Sequence, residues 1–339
     1  MNRFIRELCG LLEAGREVVL AAVVGHAGST PRSSGARMAI LADGGSRGSV
    51  GGGLLEANVL ALALELFARG GAMLREFCLT DDQADSLGMA CGGCLTVYLE
   101  HLPAGGESLE LYAALAGELE AGRAGVLVTD LDGPDQALAV RAKRLLPGDA
   151  RADAAATSPS RPRLTRTAGG LRLSEPFAPP YNLHIAGAGH VALFTARLAA
   201  LAGFCVHVLD DRAAYANPER FPEAFRVRVL DGFDACFEAG LGPADFVAIL
   251  TRGHRHDTAV LARALATRAG YVGMIGSRQK REAAYAALLA QGFSRADLAR
   301  VHCPIGLAIG AQTPEEIAVS IVAELIQARA GLSRERPRP

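Results

Sequence analysis

The sequence predicts an α/β protein with a C-terminal doubly wound parallel sheet and an N-terminal mixed α+β domain. From Tyr181 onward, short apolar runs alternate with helical or loop segments, which is typical of parallel pairing. A chain of 339 residues is also too long for one ordinary core. The predicted parts are an N-terminal domain, a loop and linker with a short strand, a Rossmann-like domain and a disordered tail, over residues 1–146, 147–180, 181–330 and 331–339.

The N-terminal domain is predicted to begin with a helix, because apolar positions recur at helical spacing over 3–14. An apolar β-rich run and two segments flanking an Asp-Gly turn predict strands, and three glycines lead into a helix that Gly70-Gly71 ends. The predicted strands of this half are 18–25, 36–43, 46–50, 74–80, 94–102 and 125–129. Those of the C-terminal half are 183–187, 205–210, 226–230, 245–251 and 271–275.

Composition excludes several classes of protein. Hydrophobic residues make up 50% of the chain, charged residues 21%, and the formal net charge is −1, which excludes disorder and the basic footprint of a nucleic-acid binder. No apolar run reaches the roughly 18 residues of a membrane span, and Glu7 and Glu13 interrupt any signal-peptide pattern. The 7 cysteines follow no framework, so we expect free thiols and a cytoplasmic location.

The stretch GAGHVA follows an apolar run and precedes a predicted helix, as in the G-x-G-x-x-G/A turn of dinucleotide-binding folds. Gly187 permits the tight turn, and Gly189 lets a phosphate approach the backbone. Ala192 lets the helix pack closely on the strand, and His190 lies just inside the turn. The pattern predicts a nucleotide-binding turn; the alternative is that the glycines serve helix packing alone.

Asp210 and Asp211 end the next predicted strand, about 20 residues after the turn, where a carboxylate can bind a ribose hydroxyl. Asp210 favours NAD because a carboxylate there repels a 2′-phosphate, whereas Arg212 weakens that preference. We therefore expect NAD or another nucleotide as a cofactor of this domain.

Two later loops follow strands of the predicted parallel sheet, at the edge where ligands bind. In LTRGHRHD, His254 and His256 lack further visible metal ligands, so hydrogen bonding to an anionic ligand is favoured over a metal site. Capping of the next helix by Asp257 is the alternative. In GSRQKR, Ser277 and Arg278 predict a phosphate site at a helix start, with simple N-capping by Ser277 as the alternative.

A small-residue loop in the N-terminal half also suits an anion. The stretch GSTPR places Ser29, Thr30 and Arg32 in a loop that leaves a predicted strand. Hydroxyls, amides and a guanidinium can together hold negative charge there.

A second anion cradle is predicted where GSVGGGLLE enters a helix. Gly51, Gly52 and Gly53 place backbone amides at the helix N-terminus. Glu56 lies in the first turn, where a carboxylate interacts favourably with the helix dipole. That electrostatic role suffices for Glu56, and a role as proton shuttle is the alternative.

The stretch GMACGGC contains Cys91, Gly92, Gly93 and Cys94. Structural zinc needs a second pair of ligands, and Cys94 enters a predicted strand rather than a helix as a thioredoxin-type pair would. We therefore favour a single exposed thiol at Cys91, a soft ligand suited to a soft metal and to sulfur transfer. A disulfide and a small buried residue at a tight turn are the alternatives.

In this order, the motifs resemble the XdhC/CoxI family, the accessory proteins of xanthine dehydrogenase and related molybdenum hydroxylases. The resemblance covers nearly the whole chain through GSTPRSSGARM, GSVGGGLLE, CGG, IAGAGHVA, VLDDR, TRGHRHD, YVGMIGSRQKR and PIGLAIGAQTPEEIAVSI. It implies a cytoplasmic chaperone without conventional turnover that binds the molybdenum cofactor (Mo-molybdopterin). Such a protein protects the cofactor while a cysteine desulfurase supplies its sulfido ligand, and delivers it to the apo-hydroxylase.

By position, the resemblance makes Cys91 the first candidate for a contact to molybdenum or its sulfur. The other residues that match the family's motifs are Ser29, Thr30, Pro31, Arg32, Gly51, Gly52, Gly53, Glu56, Gly187, Gly189 and His190. Two departures concern cysteine. Cys94 stands where many relatives have a small or polar residue, and Leu54 stands where some CoxI-like members have cysteine.

The implied partners are a xanthine dehydrogenase-type hydroxylase and a cysteine desulfurase. A homodimer is expected because an apolar helix over 54–67 needs covering, and a cleft between the two domains would shelter the labile metal centre. The alternative function is an NAD(P)-dependent oxidoreductase, for which the sequence offers no evident catalytic base. The form of the cofactor, plain or cytosine dinucleotide, stays open.

Overall fold

The computed structural model describes residues 2–28, 35–78, 93–147, 161–237, 240–252 and 254–335. The chain divides after Pro179 into two compact units, here called the N-terminal unit and the C-terminal unit. Within the described residues, no helix is long and apolar enough to cross a membrane.

The N-terminal unit is built first on a five-stranded antiparallel sheet of order β3-β2-β1-β5-β4. Its strands are β1 (Val18–Gly28), β2 (Arg37–Leu41), β3 (Ser46–Gly48), β4 (Ala72–Cys78) and β5 (Gly93–Leu102). The helices of this unit are α1 (Asn2–Glu13), α2 (Gly53–Arg69) and α3 (Gly106–Glu120).

Strand β1 is apolar at every position from Val18 to Val24 because both of its faces are covered. Its odd-numbered side chains pack in the same buried cluster as α2, whereas Val18 and Leu20 pack with α1 and α3. Alternate side chains of a strand point to opposite faces, so one continuous apolar run supplies two cores.

A second antiparallel sheet, of order β7-β6-β9-β8, completes the N-terminal unit. Its strands are β6 (Gly125–Asp132), β7 (Ala139–Pro147), β8 (Arg163–Thr167) and β9 (Gly170–Phe177). The interpretation of 147–180 as a loop and linker with one short strand is therefore too simple, since β9 pairs with β6 along its length. The polar residues of β8 face solvent, so its sequence carries little apolar signal.

The C-terminal unit contains a parallel sheet of order β12-β11-β10-β13-β14-β15. Its strands are β10 (Asn182–Ala186), β11 (Cys205–Asp210), β12 (Arg226–Val229), β13 (Asp245–Ile249), β14 (Tyr271–Met274) and β15 (Val301–His302). The helices are α4 (His190–Leu201), α5 (His254–Leu265), α6 (Arg278–Ala290), α7 (Arg295–Leu298) and α8 (Pro314–Glu335).

The predicted doubly wound sheet is confirmed. Buried residues of α4 and α8 pack on one face of the sheet, and those of α5 and α6 pack on the other. The strand order reverses between β10 and β13, which places the ligand crevice of such a fold at the carboxyl ends of these two strands.

Helix α8 begins with a capping box and runs further than the sequence predicts. Thr313 Oγ1 accepts a hydrogen bond from the Glu316 N–H at 3.3 Å, and Glu316 Oε2 accepts one from the Thr313 N–H at 3.1 Å. The helix continues to Glu335, five residues into the segment predicted as a disordered tail; residues 336–339 lie outside the described part.

Candidate functional site

Three sequence-predicted segments leave the N-terminal unit at one end of the five-stranded sheet. The antiparallel registers bring the end of β1, the start of β2, the end of β3, the start of β5 and the end of β4 to that end. From it depart the segment 29–34, the turn before α2 and the segment 79–92. The fold therefore groups the predicted hydroxyl loop, glycine turn and cysteine loop, although they are far apart in the chain.

Five of the predicted site residues lie outside the described residues: Ser29, Thr30, Arg32, Cys91 and Gly92. Their nearest described neighbours are well placed. Gly28 and Gly93 are register partners, and Gly93 is buried at the first position of β5.

The turn before α2 uses three glycines in conformations that other residues rarely adopt. Gly51, Gly52 and Gly53 have φ values of 153°, 80° and 59°. A Cβ built on Gly52 or on Gly53 would meet no atom within 4 Å, so the space beside this helix start is open. The first amides of a helix have no acceptor within the helix, so this turn offers N–H donors to an anion.

Glu56 occupies part of this turn. Its Oε1 accepts a hydrogen bond from Ser49 Oγ at 2.6 Å and from the Gly52 N–H at 3.0 Å. The Ser49 hydroxyl, more than any other group, holds the pKa of Glu56 below its ordinary value, so this side chain is ionised at neutral pH. An anion at this helix start would therefore use the amides that follow Gly52.

Cys78 and Cys94 form a disulfide across β4 and β5. They are register partners with Cα atoms 4.0 Å apart; Cys78 is exposed and Cys94 half-buried. The expectation of free thiols is wrong for this pair, because strand register brings together two cysteines whose spacing in the chain gives no such signal. Cys94 thus bonds to Cys78 rather than to the other cysteine of the C-x-x-C stretch.

Glu76 contributes a third ligand-type atom beside this disulfide. The Glu76 carboxylate and the two sulfurs lie within 4.8 Å of one another. Metal coordination by cysteine requires thiolates, so the bonded sulfurs are not metal ligands in this state.

Sequence reasoning missed a buried ion pair that anchors the small-residue loop. Arg37 Nη2 lies 2.9 Å from Glu175 Oε1, and the two side chains are 4% and 2% exposed. Arg37 Nη1 also donates to the Gly35 carbonyl at 3.0 Å, and its guanidinium lies 4.2 Å from the centroid of the Phe177 ring. The interaction joins β2 to β9 and fixes the point where the chain returns from segment 29–34.

The glycine turn of the C-terminal unit connects β10 to α4. Gly187 has a φ of 112°, and a Cβ there would overlap the Leu250 carbonyl of the neighbouring strand end. At Gly189 a Cβ would meet no atom within 4 Å, so the start of α4 faces open space. His190 is exposed at the first helical position.

Asp210 lies beside this turn but is buried. Its Oδ2 accepts a hydrogen bond from the Ala188 N–H at 2.7 Å, and Arg212 donates to both of its oxygens. Burial alone would raise its pKa, yet the hydrogen bonds from Arg212 and Ala188 bring the pKa below its ordinary value.

The loops after β13 and β14 meet through a network that sequence reasoning did not find. Lys280 Nζ pairs with Asp257, whose side chain is 1% exposed and whose Oδ1 accepts a hydrogen bond from Thr251 Oγ1 at 2.5 Å. Lys280 Nζ also donates to the Ile275 carbonyl at 3.4 Å. The basic stretch after β14 was interpreted as solvated or phosphate-binding, but Lys280 turns inward to the buried acid.

Ser277 caps α6, since its Oγ accepts a hydrogen bond from the Lys280 N–H at 3.2 Å. Arg278 is exposed beside it. The side chain of His254 lies outside the described part, although its backbone begins α5.

Comparison with known families matches both units. A model described as the XdhC and CoxI family matches residues 11–77, and a model described as the XdhC Rossmann domain matches residues 183–325. The resemblance that the motifs suggested is thereby confirmed.

Three curated relatives align with nearly all of the chain. It is 28% identical over 343 residues to a Bacillus subtilis protein named as a probable xanthine dehydrogenase subunit, covering 97% of this chain and 98% of the relative. It is 24% identical over 318 residues to the Escherichia coli molybdenum cofactor insertion chaperone PaoD, covering 94% and 85%. It is 27% identical over 330 residues to Escherichia coli YqeB, covering 97% of this chain but 46% of YqeB, so it spans about half of that relative's length.

A solved structure has the same fold over the whole chain. The crystal structure of a Bacillus halodurans protein described as a xanthine dehydrogenase matches with a TM-score of 0.77 and 27% identity. The match covers 98% of this chain and 97% of that one.

Proposed function

The chain belongs to the XdhC and CoxI family, and from this membership we propose that it is an accessory protein of a xanthine dehydrogenase-type molybdenum hydroxylase. The relative named as a molybdenum cofactor insertion chaperone, which aligns over 94% of this chain, supports the proposal. The chain binds the molybdenum cofactor as cargo, protects it during sulfuration and delivers it to the apo-hydroxylase.

The observation that carries this function is the grouping of three segments at one end of the five-stranded sheet. Molybdopterin has an anionic phosphate at one end and a dithiolene-bound metal at the other. The glycine turn before α2 supplies amide donors for an anion, and the segment 79–92 supplies the Cys91 thiol for a soft metal or its sulfur. Both chemistries are thus attached to the same sheet end, as one such ligand requires.

The residues fit the cofactor with a defined division of roles. The phosphate contacts the amides of Gly53, Leu54 and Leu55, because Glu56 already holds the Gly52 amide. Open space at Gly52 and Gly53 admits the phosphate oxygens. Cys91 contacts the metal end, since Cys94 is bonded to Cys78 and offers no thiolate.

The cysteine desulfurase and a second copy of the chain belong to the proposal as partners. Leu54 and Leu64 of α2 are 45% and 57% exposed, which supports an association that covers them. The same helix carries the glycine turn, so a partner docked there would lie close to the proposed cargo.

Delivery is tested by reconstitution. A molybdenum-free apo-hydroxylase is incubated anaerobically with cofactor-loaded chain or with an equal amount of free cofactor, and its activity is followed in time. We expect faster and more complete activation by the loaded chain. Activation no better than with free cofactor contradicts the delivery function.

A further inference from the structure

The hydrogen-bonding capacity of Asp210 is fully used within the protein. Its Oδ1 accepts the backbone N–H of Arg212 at 3.0 Å and Arg212 Nε at 2.8 Å. Its Oδ2 accepts the Ala188 N–H at 2.7 Å and Arg212 Nη2 at 2.9 Å. A carboxylate has about four acceptor sites, so none remains for a ribose hydroxyl. The side chain is also 2% exposed, so a nucleotide cannot reach it without displacing Arg212.

Arg212 presents what Asp210 cannot. The guanidinium faces Asp210 through Nε and Nη2, and none of the hydrogen bonds seen among the described residues uses its Nη1. Its carbon Cζ lies 3.9 Å from the centroid of the Tyr215 ring, which fixes the plane of the fork, and 24% of the side chain is exposed. A planar guanidinium held in this way can donate in bidentate geometry to a second anion through its free edge.

Two more arginines lie near the end of β11. Arg252 follows β13, is 58% exposed and pairs with Asp211 at 3.1 Å. Arg220 lies 4.8 Å from the centroid of the same Tyr215 ring that Arg212 contacts. Both acids at the end of β11 are therefore neutralised, and the accessible charged groups there are guanidinium groups.

We propose that the C-terminal unit binds an adenine nucleotide that carries a phosphate on its ribose 2′-hydroxyl, with that phosphate on the free edge of Arg212. The pyrophosphate of the nucleotide lies on the amides that follow Gly189, where the start of α4 is open. This ligand class reverses the sequence-based expectation that Asp210 selects NAD. The inference goes beyond the proposed function and does not need it, because nucleotide binding can be measured on chain free of molybdenum cofactor.

The test is calorimetric titration of the full chain with NADP⁺ and with NAD⁺, followed by 2′,5′-ADP and 5′-AMP. We expect the 2′-phosphorylated member of each pair to bind at least tenfold more tightly, and the difference to shrink as salt concentration rises. Equal binding of the members of a pair, tighter binding of NAD⁺, or no binding of any of the four overturns the proposal.

Variants locate the phosphate. Arg212→Lys keeps the charge but loses the bidentate fork, so the preference for NADP⁺ falls severalfold; Arg212→Ala abolishes it. Since Arg212→Ala also unpairs a buried acid, its thermal unfolding is recorded, and Arg252→Ala provides a second variant at an exposed position with a smaller expected loss. Arg141→Ala is the matched control, an exposed arginine paired with Asp132 in the N-terminal unit. An unchanged preference in both Arg212 variants overturns the assignment.

Discussion

Gly28 and Gly93 are the final register pair between β1 and β5, so the segments 29–34 and 79–92 leave the sheet at adjacent points. One segment carries the predicted hydroxyl loop and the other carries Cys91. Next to this pair, Ala27 lies opposite Cys94, which is bonded to Cys78. The proposed cargo site depends on this local topology of the N-terminal unit, and the following predictions test it and its surroundings.

Reduction of the Cys78–Cys94 bond is expected to destabilise the N-terminal unit. The bond closes a loop with a sequence separation of 16, and a loop of that size contributes about 3 kcal/mol through restriction of the unfolded chain. Urea unfolding should show that loss in Cys78→Ser, and dithiothreitol should have no further effect on that variant. Cys303→Ser is the control, because Cys303 is a half-buried free cysteine of the C-terminal unit. Alkylation of both Cys78 and Cys94 in unreduced protein contradicts the assignment.

The buried Arg37–Glu175 pair is expected to behave as a coupled unit. Arg37→Met or Glu175→Leu alone leaves an uncompensated charge at a site where both side chains are under 5% exposed, which costs about 3–5 kcal/mol. The double variant should recover most of that loss in a double-mutant cycle of chemical unfolding. Simple addition of the two single losses would show that the charges are not coupled.

Two glycines of the turn after β10 are expected to respond differently to alanine. Gly187→Ala should destabilise the C-terminal unit by at least about 2 kcal/mol, because φ is 112° and the new methyl group overlaps the Leu250 carbonyl. Gly189→Ala should unfold at the wild-type temperature, since φ is −74° and the space is open, but should bind NADP⁺ more weakly. Unweakened NADP⁺ binding by folded Gly189→Ala would remove the turn from the nucleotide site.

Acidification is expected to destabilise the C-terminal unit through His207. Burial, followed by the neighbouring His184, lowers the pKa of His207 from 6.5 to about 4. Asp245 acts in the opposite direction and Arg226 in the same direction. Between those pH values the unfolded chain binds a proton that the folded chain does not, so stability falls as pH falls through 6.5 and the loss is complete near pH 4.

From pH 7.5 to pH 5.0 this effect amounts to about 2 kcal/mol. Urea unfolding at the two pH values checks it, with His207→Asn as the comparison because asparagine does not titrate. An equal change in stability for the wild-type chain and the variant would show that His207 has an ordinary pKa in the folded state.

The parallel sheet could be predicted from sequence because its strands are buried on both faces and therefore read as apolar runs. Strand β15 escaped prediction because it has two residues, Val301 and His302. Strand β8 escaped because its arginines and threonines face solvent and its one leucine gives no period. In both cases hydrogen-bonded partners elsewhere in the chain, rather than local sequence, define the strand.

The candidate site was predictable as a set of motifs but not as a set of contacts. The D-D-R stretch after β11 indicated a nucleotide site, yet only side-chain geometry shows that Arg212 occupies Asp210. The Cys78–Cys94 pairing follows from strand register, and the Lys280–Asp257 pair from the meeting of two loops. Each depends on residues that are distant in sequence or on a rotamer that the sequence does not specify.

The most direct test of the central claim is the molybdenum and molybdopterin content of the chain purified anaerobically from cells that make the cofactor. We predict close to one molybdopterin per chain for the wild type and for Cys303→Ser, and a loss of at least tenfold for Cys91→Ala with an unchanged unfolding transition. Wild-type protein that carries no molybdopterin above background, or Cys91→Ala that retains as much molybdenum as wild type, would contradict the account.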